Sequence, residues 1–415
     1  MGFFTEQRVV VTGLGIVAPN AIGKTAFWES LMAGTGGTKL ITRFDTSGYH
    51  SKIAGEISDF DLKTILPQPK GKISRMSRQT QFAVGAAVLA VDDADIVAAV
   101  SGDAVVPVYI GVGNASVERI VEVADRMQKR GPLKLRPTGV ETSSPHQAAS
   151  QIGHELGFRT VAKTVSSACT AGVEAIGLAV EAVRSGQSDV VIAGGTDSPI
   201  SKVSFASFDR SGFASARNDD PEGAARPFDR DCDSGVVSEG AAVLILENYE
   251  HALARGVHIY MEILSFGSHS DYSADEPLSG LVPAMELALA NAHKSCSDID
   301  YISAHGPGHP MIDRIETEMI KRVFANEAYN VPVTSVKGNI GNPMASAGPM
   351  QLVSSALSLD NGIIPFIVNH ENAARECDLD YVAKCGRKTE PKLVLINSHG
   401  LGGSNACMVV QRLDA

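Results

Sequence analysis

The chain has 415 residues, 44% apolar and 20% charged, the balance of a folded globular protein and not of a disordered one. Its 36 basic and 47 acidic residues leave a formal charge of −11, which argues against a general nucleic-acid binder. No apolar run approaches the roughly 18 residues of a membrane span, so no membrane association is expected.

Met1 leads through Gly2, Phe3 and Phe4 straight to a first strand, with no basic segment and long apolar run of a secretory signal, so a cytoplasmic location is expected. Residues 8–12, β-branched from Val9 onward, read as a buried strand ending in a tight turn at Gly13 and Gly15. The third glycine of a dinucleotide-binding loop is missing. A short helix is predicted over 27–32, an alanine-rich helix over 79–91 and a second buried strand over 105–112.

Residues 160–165 form a strand, 166–169 a turn, 170–184 a helix and 189–195 a buried strand, a βαβ unit with Cys169 at its sharp turn. Strands follow at 241–246 and 259–266, then a helix over 280–293. A strand over 299–304 ends at His305 before a helix over 313–324; a strand over 332–336 ends at Lys337 before a helix over 347–359; and a strand over 393–397 runs into a glycine-rich turn. Reactive side chains thus sit just past strand C-termini, where open α/β sheets place their sites. No short repeat is visible.

Six cysteines (Cys169, Cys232, Cys296, Cys377, Cys385 and Cys407) are scattered without a CxxC pair, so no metal site is expected. Cys169 differs from the others. At the first turn of a helix it meets the positive end of the helix dipole, which favours thiolate, and its neighbours Ala168, Thr170, Ala171 and Gly172 are small enough to admit a substrate.

The run from Val165 to Gly172, followed by residues 189–195, resembles the nucleophile segment of elongating β-ketoacyl-acyl-carrier-protein synthases. Blocks at 226–247, 301–321, 335–348 and 397–406, with the opening residues 9–23, match that family in order along nearly the whole chain. The resemblance implies an α/β, duplicated thiolase fold, five-layered α-β-α-β-α. One half over 1–250 would carry the nucleophile; the other, over 251–415, would carry His305, Lys337, Asn342 and the glycine-rich turn. It implies decarboxylative Claisen condensation between an acyl group on Cys169 and a malonyl thioester on acyl carrier protein, in type II polyketide or specialised fatty-acid-like biosynthesis. No cofactor is implied beyond the carrier's phosphopantetheine. The partners would be the carrier protein and a second ketosynthase-like subunit, in a homodimer or heterodimer.

By the same resemblance His305 and Lys337 match the family's first histidine and its lysine. The backbone amides of Cys169 and Leu401 would form the oxyanion hole, and Glu239, Asp313 and Glu316 would have structural roles. Four positions depart from the pattern. Asn342 stands where a second histidine is usual; it can donate a hydrogen bond but cannot hold a proton. Pro307 and His309 replace two Ser/Thr-type residues that meet the pantetheine arm, and His399 and Leu401, flanking Gly400, replace two phenylalanines of the gate. His399 or His309 is a candidate to take over part of the missing imidazole's work. Two other readings stay open: an acyltransferase that passes the Cys169-bound acyl group to another acceptor, and a non-catalytic partner subunit of chain-length-factor type. Two basic stretches, Lys70, Lys72, Arg75 and Arg78, then Lys129, Arg130, Lys134 and Arg136, are candidates for carrier docking, with Lys134, Arg136, Arg75 and Lys72 foremost.

Overall fold

The computed structural model describes residues 7–97 and 104–413, so the opening residues lie outside it. The elements used below are β1 (Val9–Ala18), α1 (Arg78–Asp93), β2 (Val108–Val112), α2 (Val117–Arg130), α3 (Gln147–Leu156), β3 (Ala162–Val165), α4 (Ala171–Arg184), β4 (Val190–Asp197) and β5 (Gly240–Asn248). They continue as β6 (Met261–Ser270), α5 (Leu281–Asn291), β7 (Tyr301–Ser303), α6 (Pro310–Phe324), β8 (Val333–Thr334), α7 (Ala347–Asn361), β9 (Leu393–Gly400) and β10 (Ser404–Gln411).

The strands run β8-β7-β9-β10-β6-β1-β5-β4-β2-β3. β1 and β6 join through only the pairs Val10–Glu262 and Val11–Met261, so the array bends into two five-stranded sheets at that seam. Numbered within its own sheet, each set has the spatial order 3-2-4-5-1, with strands 3, 2 and 4 parallel and strands 4, 5 and 1 antiparallel. That identity of order is a duplication that the amino acids themselves do not show.

Three apolar cores separate five layers. Between the sheets, α4 and α7 bury Ile176, Ala179, Leu352 and Val353 against Val11 and Leu14 of one sheet and Val394 and Met408 of the other. Outside the first sheet, α1 and α3 cover Ile110, Ile192 and Val243 with Phe82, Val84 and Ile152. Outside the second, α5 and α6 cover Ile302, Leu395 and Val409 with Met285 and Ile320. Each sheet face reads as continuous apolar sequence because helices cover it on both sides. Among the described residues no helix is long and apolar enough to cross a membrane.

The turn expected at Gly13 and Gly15 is not there: β1 passes straight through both, with a bulge between Val11 and Gly13. A Cβ on Gly15 would lie 1.8 Å from the carbonyl oxygen of Ala86, and one on Gly13 would lie 2.3 Å from that of Ala90. The glycines are there so that helix α1 can press its backbone onto the strand. The helix over 310–324 starts earlier than its apolar spacing predicts, because Pro310 supplies a ready first-turn φ and His309 caps it through Nδ1, which accepts the Met311 N–H at 3.3 Å.

Candidate active site

Cys169 lies between β3 and α4 on a turn that requires Ala168 to adopt φ +56°, a left-handed conformation costing on the order of 1–3 kcal/mol for a residue with a Cβ. The turn is tied from outside. Thr170 Oγ1 and Ser404 Oγ each donate to the Ser167 carbonyl at 2.8 Å, which pins the glycine-rich hairpin between β9 and β10 beside the cysteine. The sulfur faces a cavity of about 40 Å³ that His305, Asn342, His399 and Leu401 also line, with Phe213 and Met344 as apolar wall.

The expectation of a resting thiolate is overturned. Burial pushes the Cys169 thiol up to about 11, and the Asp197 carboxylate adds to the shift. Lys337, the Leu401 N–H and the Asn342 amide favour the thiolate but do not outweigh the loss of water. A helix N-terminus gives its full effect only where the charged form is not otherwise desolvated. The balance of these influences favours the thiol at Cys169.

His305 follows β7 and is 3% exposed. Its Nδ1 accepts the His399 backbone N–H at 3.3 Å and stands 3.4 Å from the Lys337 ammonium. Burial, then the charges of Lys337 and His399, hold its pKa well below the usual histidine value, so the ring is neutral. With Nδ1 committed as acceptor, the single proton sits on Nε2, and the ring offers the cavity a donor. Lys337 itself is 1% exposed, donates to the His305 carbonyl, and is lowered by burial to about 8.

Beneath this pair, the Glu316 carboxylate accepts the backbone N–H groups of His305 and Gly306 at 2.8 Å each. Asp313 accepts those of Phe228 and Gly308 at 2.7 and 3.2 Å. Glu239, fully buried, is bound by Arg78 and Ser198 and by the Ile57 N–H. All three carboxylates shape backbone and do not line the cavity.

Asn342 turns its side-chain amide to the Cys169 sulfur, while its Oδ1 is buried without a partner. Its own N–H and C=O are paired with Val236 and Ser238, which fixes the residue at the cavity rim. The amide of Leu401 reaches the same sulfur, and a Cβ on Gly400 would come within 3.1 Å of the Cys169 amide. The Leu401 side chain is 47% exposed and stands at the mouth.

Pro307 and His309 also line the cavity, and the His309 ring stacks on Phe213 at 4.9 Å between centroids. His399 is bound through Nδ1 to Asn405 Oδ1 at 3.0 Å, its ring perpendicular to that of His305 at 5.9 Å.

One residue at the site carried no signal in the sequence. Asp197, at the end of β4, accepts amides from Gly113, Asn114 and Ala345 at 3.1, 3.0 and 2.8 Å, and burial raises it to about 7. Its donors come from segments far apart in the chain, and its charge acts on the Cys169 thiol.

Away from the cavity, a groove of about 440 Å³ brings the two basic stretches together, with Arg75 and Arg136 joined by Arg119, Arg126, Lys129 and Arg130. Lys72 and Lys134 are exposed but do not line it, and Arg78 is held by Glu239.

A family model described as beta-ketoacyl synthase, N-terminal domain, matches residues 6–252, and one described as its C-terminal domain matches residues 260–371. The tetracenomycin polyketide synthase ketoacyl synthase alpha subunit of Streptomyces glaucescens is 36% identical, across 98% of this chain and 97% of its own. The solved ishigamide ketosynthase/chain length factor superposes with a TM-score of 0.92 at 30% identity, covering 99% of this chain and 100% of that one. A type II polyketide synthase acyl-carrier protein in complex with its ketosynthase bound to the hexaketide contains a chain that superposes with a TM-score of 0.90 at 29% identity, covering 99% and 100%.

Proposed function

Because the chain belongs to the β-ketoacyl synthase family, we propose that it joins a Cys169-bound acyl group to the carbon of a malonyl thioester on acyl carrier protein, with loss of carbon dioxide. The carrying observation is that Cys169, His305 and Asn342 face one cavity, with Lys337 directly behind His305.

The thiol sulfur attacks the carrier thioester, and the tetrahedral oxyanion is received by the Cys169 and Leu401 amides. The pantetheine thiol departs, leaving the acyl group on sulfur. The malonyl thioester then places its carbonyl oxygen against His305 Nε2–H and the Asn342 amide. As the carboxylate leaves as carbon dioxide, its electron pair forms the enolate those two donors stabilise. The enolate carbon attacks the acyl carbonyl, and the Cys169 thiolate is the leaving group. Neither donor needs to carry charge, so an asparagine serves at position 342.

His309 supports recognition of the pantetheine arm: with Nδ1 occupied by the Met311 N–H, it keeps Nε2–H for the ligand where hydroxyl residues are usual. The basic groove is the docking surface for the acidic carrier, with Arg75 and Arg136 in it and Lys72 and Lys134 at its margin. The work is done in the cytoplasm, by a homodimer or by a heterodimer with a ketosynthase-like subunit, and needs no cofactor beyond the carrier's arm. The two catalytic halves divide near residue 250.

Asn342 is what favours the acyltransferase alternative, since it removes one imidazole from decarboxylation. Incubation with acyl- and malonyl-carrier proteins separates the two by following mass on Cys169 and carbon dioxide release independently. Acylation with release and a β-ketoacyl product supports condensation. Acylation without release overturns it.

A further inference from the structure

We infer that His399 is the proton acceptor of the cavity: its Nε2 takes the thiol proton of Cys169, directly or through one water, as the sulfur attacks a thioester, and returns it to the pantetheine sulfur that leaves. The inference rests on the acyl-transfer step of the proposed function and assigns its proton. The carbon–sulfur bond to Cys169 forms as the one to pantetheine breaks, and one proton moves from sulfur to imidazole to sulfur.

The neighbours of His399 fix its tautomer. Asn405 Nδ2 donates to Asp271 Oδ1 at 2.7 Å and to the carbonyls of Gly403 and His269 at 3.2 and 3.3 Å. Asp271 in turn accepts the Leu278 and Gly280 amides at 3.0 Å, so it is a carboxylate and can only accept. The Asn405 amide therefore has one orientation, with Oδ1 toward His399, and Nδ1 of His399 must donate to it. The remaining Nε2 is an unprotonated acceptor on a ring that lines the cavity with Cys169. This is opposite to His305, whose Nε2 is a donor. It also means that neutral His399 cannot replace the missing oxyanion donor of position 342.

Among the described residues lining the cavity, no other group takes the proton: His305 and His309 have their lone pairs committed, and Asn342 has no basic atom. The groups that face His399 are the neutral His305 ring; the Asn405 acceptor and Asp271 behind it, which favour its protonation; and the Lys337 ammonium, which opposes it. Burial is the largest influence and keeps the ring neutral near pH 7. A cavity of about 40 Å³ holds about two or three waters, enough for a relay.

Alkylation of Cys169 by iodoacetamide, read as intact mass across pH, isolates this step, because it needs no malonyl thioester or carrier. In the natural chain the rate should rise as His399 loses its proton and level off through neutral pH. In His399→Phe and His399→Gln it should instead climb about tenfold per pH unit toward the thiol's own value near 11, and at pH 7 be at least tenfold slower. The glutamine variant keeps a hydrogen bond to Asn405, so the test survives if phenylalanine disturbs folding. Profiles that superimpose on the natural one overturn the inference, whatever the condensation assay gives. A lost plateau with no condensation in the natural chain leaves the inference standing and removes only the larger reading.

Discussion

The ammonium of Lys337 and the imidazole of His305 form one unit: Nζ donates to the His305 carbonyl and stands 3.4 Å from Nδ1, joining the His399 N–H in keeping the proton on Nε2. Lys337→Met should leave Cys169 acylation nearly intact and slow carbon dioxide release about 100-fold, the scale of a misdirected oxyanion donor. The His305 imidazole pKa, followed by NMR, should move up, because a neighbouring positive charge that lowers it is gone. Unchanged titration would show that the lysine only fills space.

Asn342 donates through its side-chain NH₂ group but has no atom that gains or loses a proton in this pH range. Asn342→Leu should cost decarboxylation about 10²–10³-fold, as for loss of one such donor. Asn342→His should retain it. Equal loss in both variants would argue that position 342 needs asparagine for shape.

Glu316 uses both carboxylate oxygens on backbone amides at the start of the His305 loop. Glu316→Gln turns an NH₂ group onto one of those amides, leaving a buried donor without a partner at about 1–3 kcal/mol. Urea unfolding should show that loss of stability, together with slower decarboxylation, as the His305 loop relaxes.

Reversing Arg126 and Arg136 to glutamate takes the groove's lining from six basic and two acidic side chains to four of each, without touching the cavity. The KM for acyl-carrier protein should rise at least about tenfold at low ionic strength, and the difference should shrink as salt screens it. Turnover of a small thioester should be unaffected. Parallel effects on both substrates would remove the groove from docking.

Gly15→Ala tests the helix–strand contact. With a Cβ at 1.8 Å from the Ala86 carbonyl oxygen, α1 must shift, at about 1–3 kcal/mol or more in urea unfolding. A stability equal to the natural chain's would mean that α1 moves freely.

The sequence makes the strand-end placement of Cys169, His305 and Lys337 legible because each lies in one contiguous apolar-then-polar block. It hides what depends on distant neighbours. Gly13 and Gly15 look like a turn because the helix that needs them begins more than sixty residues later. The helix dipole at Cys169 is a local influence, outweighed by burial and Asp197, which are tertiary facts. The orientation of Asn405, and with it the tautomer of His399, is set by Asp271, on the other side of the hairpin. Helix α2 escapes burial patterning altogether, since none of its residues is buried.

Asp197 takes amides from Gly113 and Asn114 in the first half and from Ala345 in the second, immediately behind the nucleophile. A fragment ending near residue 250 would leave this carboxyl short of its third donor and the cysteine without its histidine, lysine and asparagine. The two five-stranded units thus depend on each other. Their common border is now the most demanding part of the molecule, and drift on one side must be answered on the other.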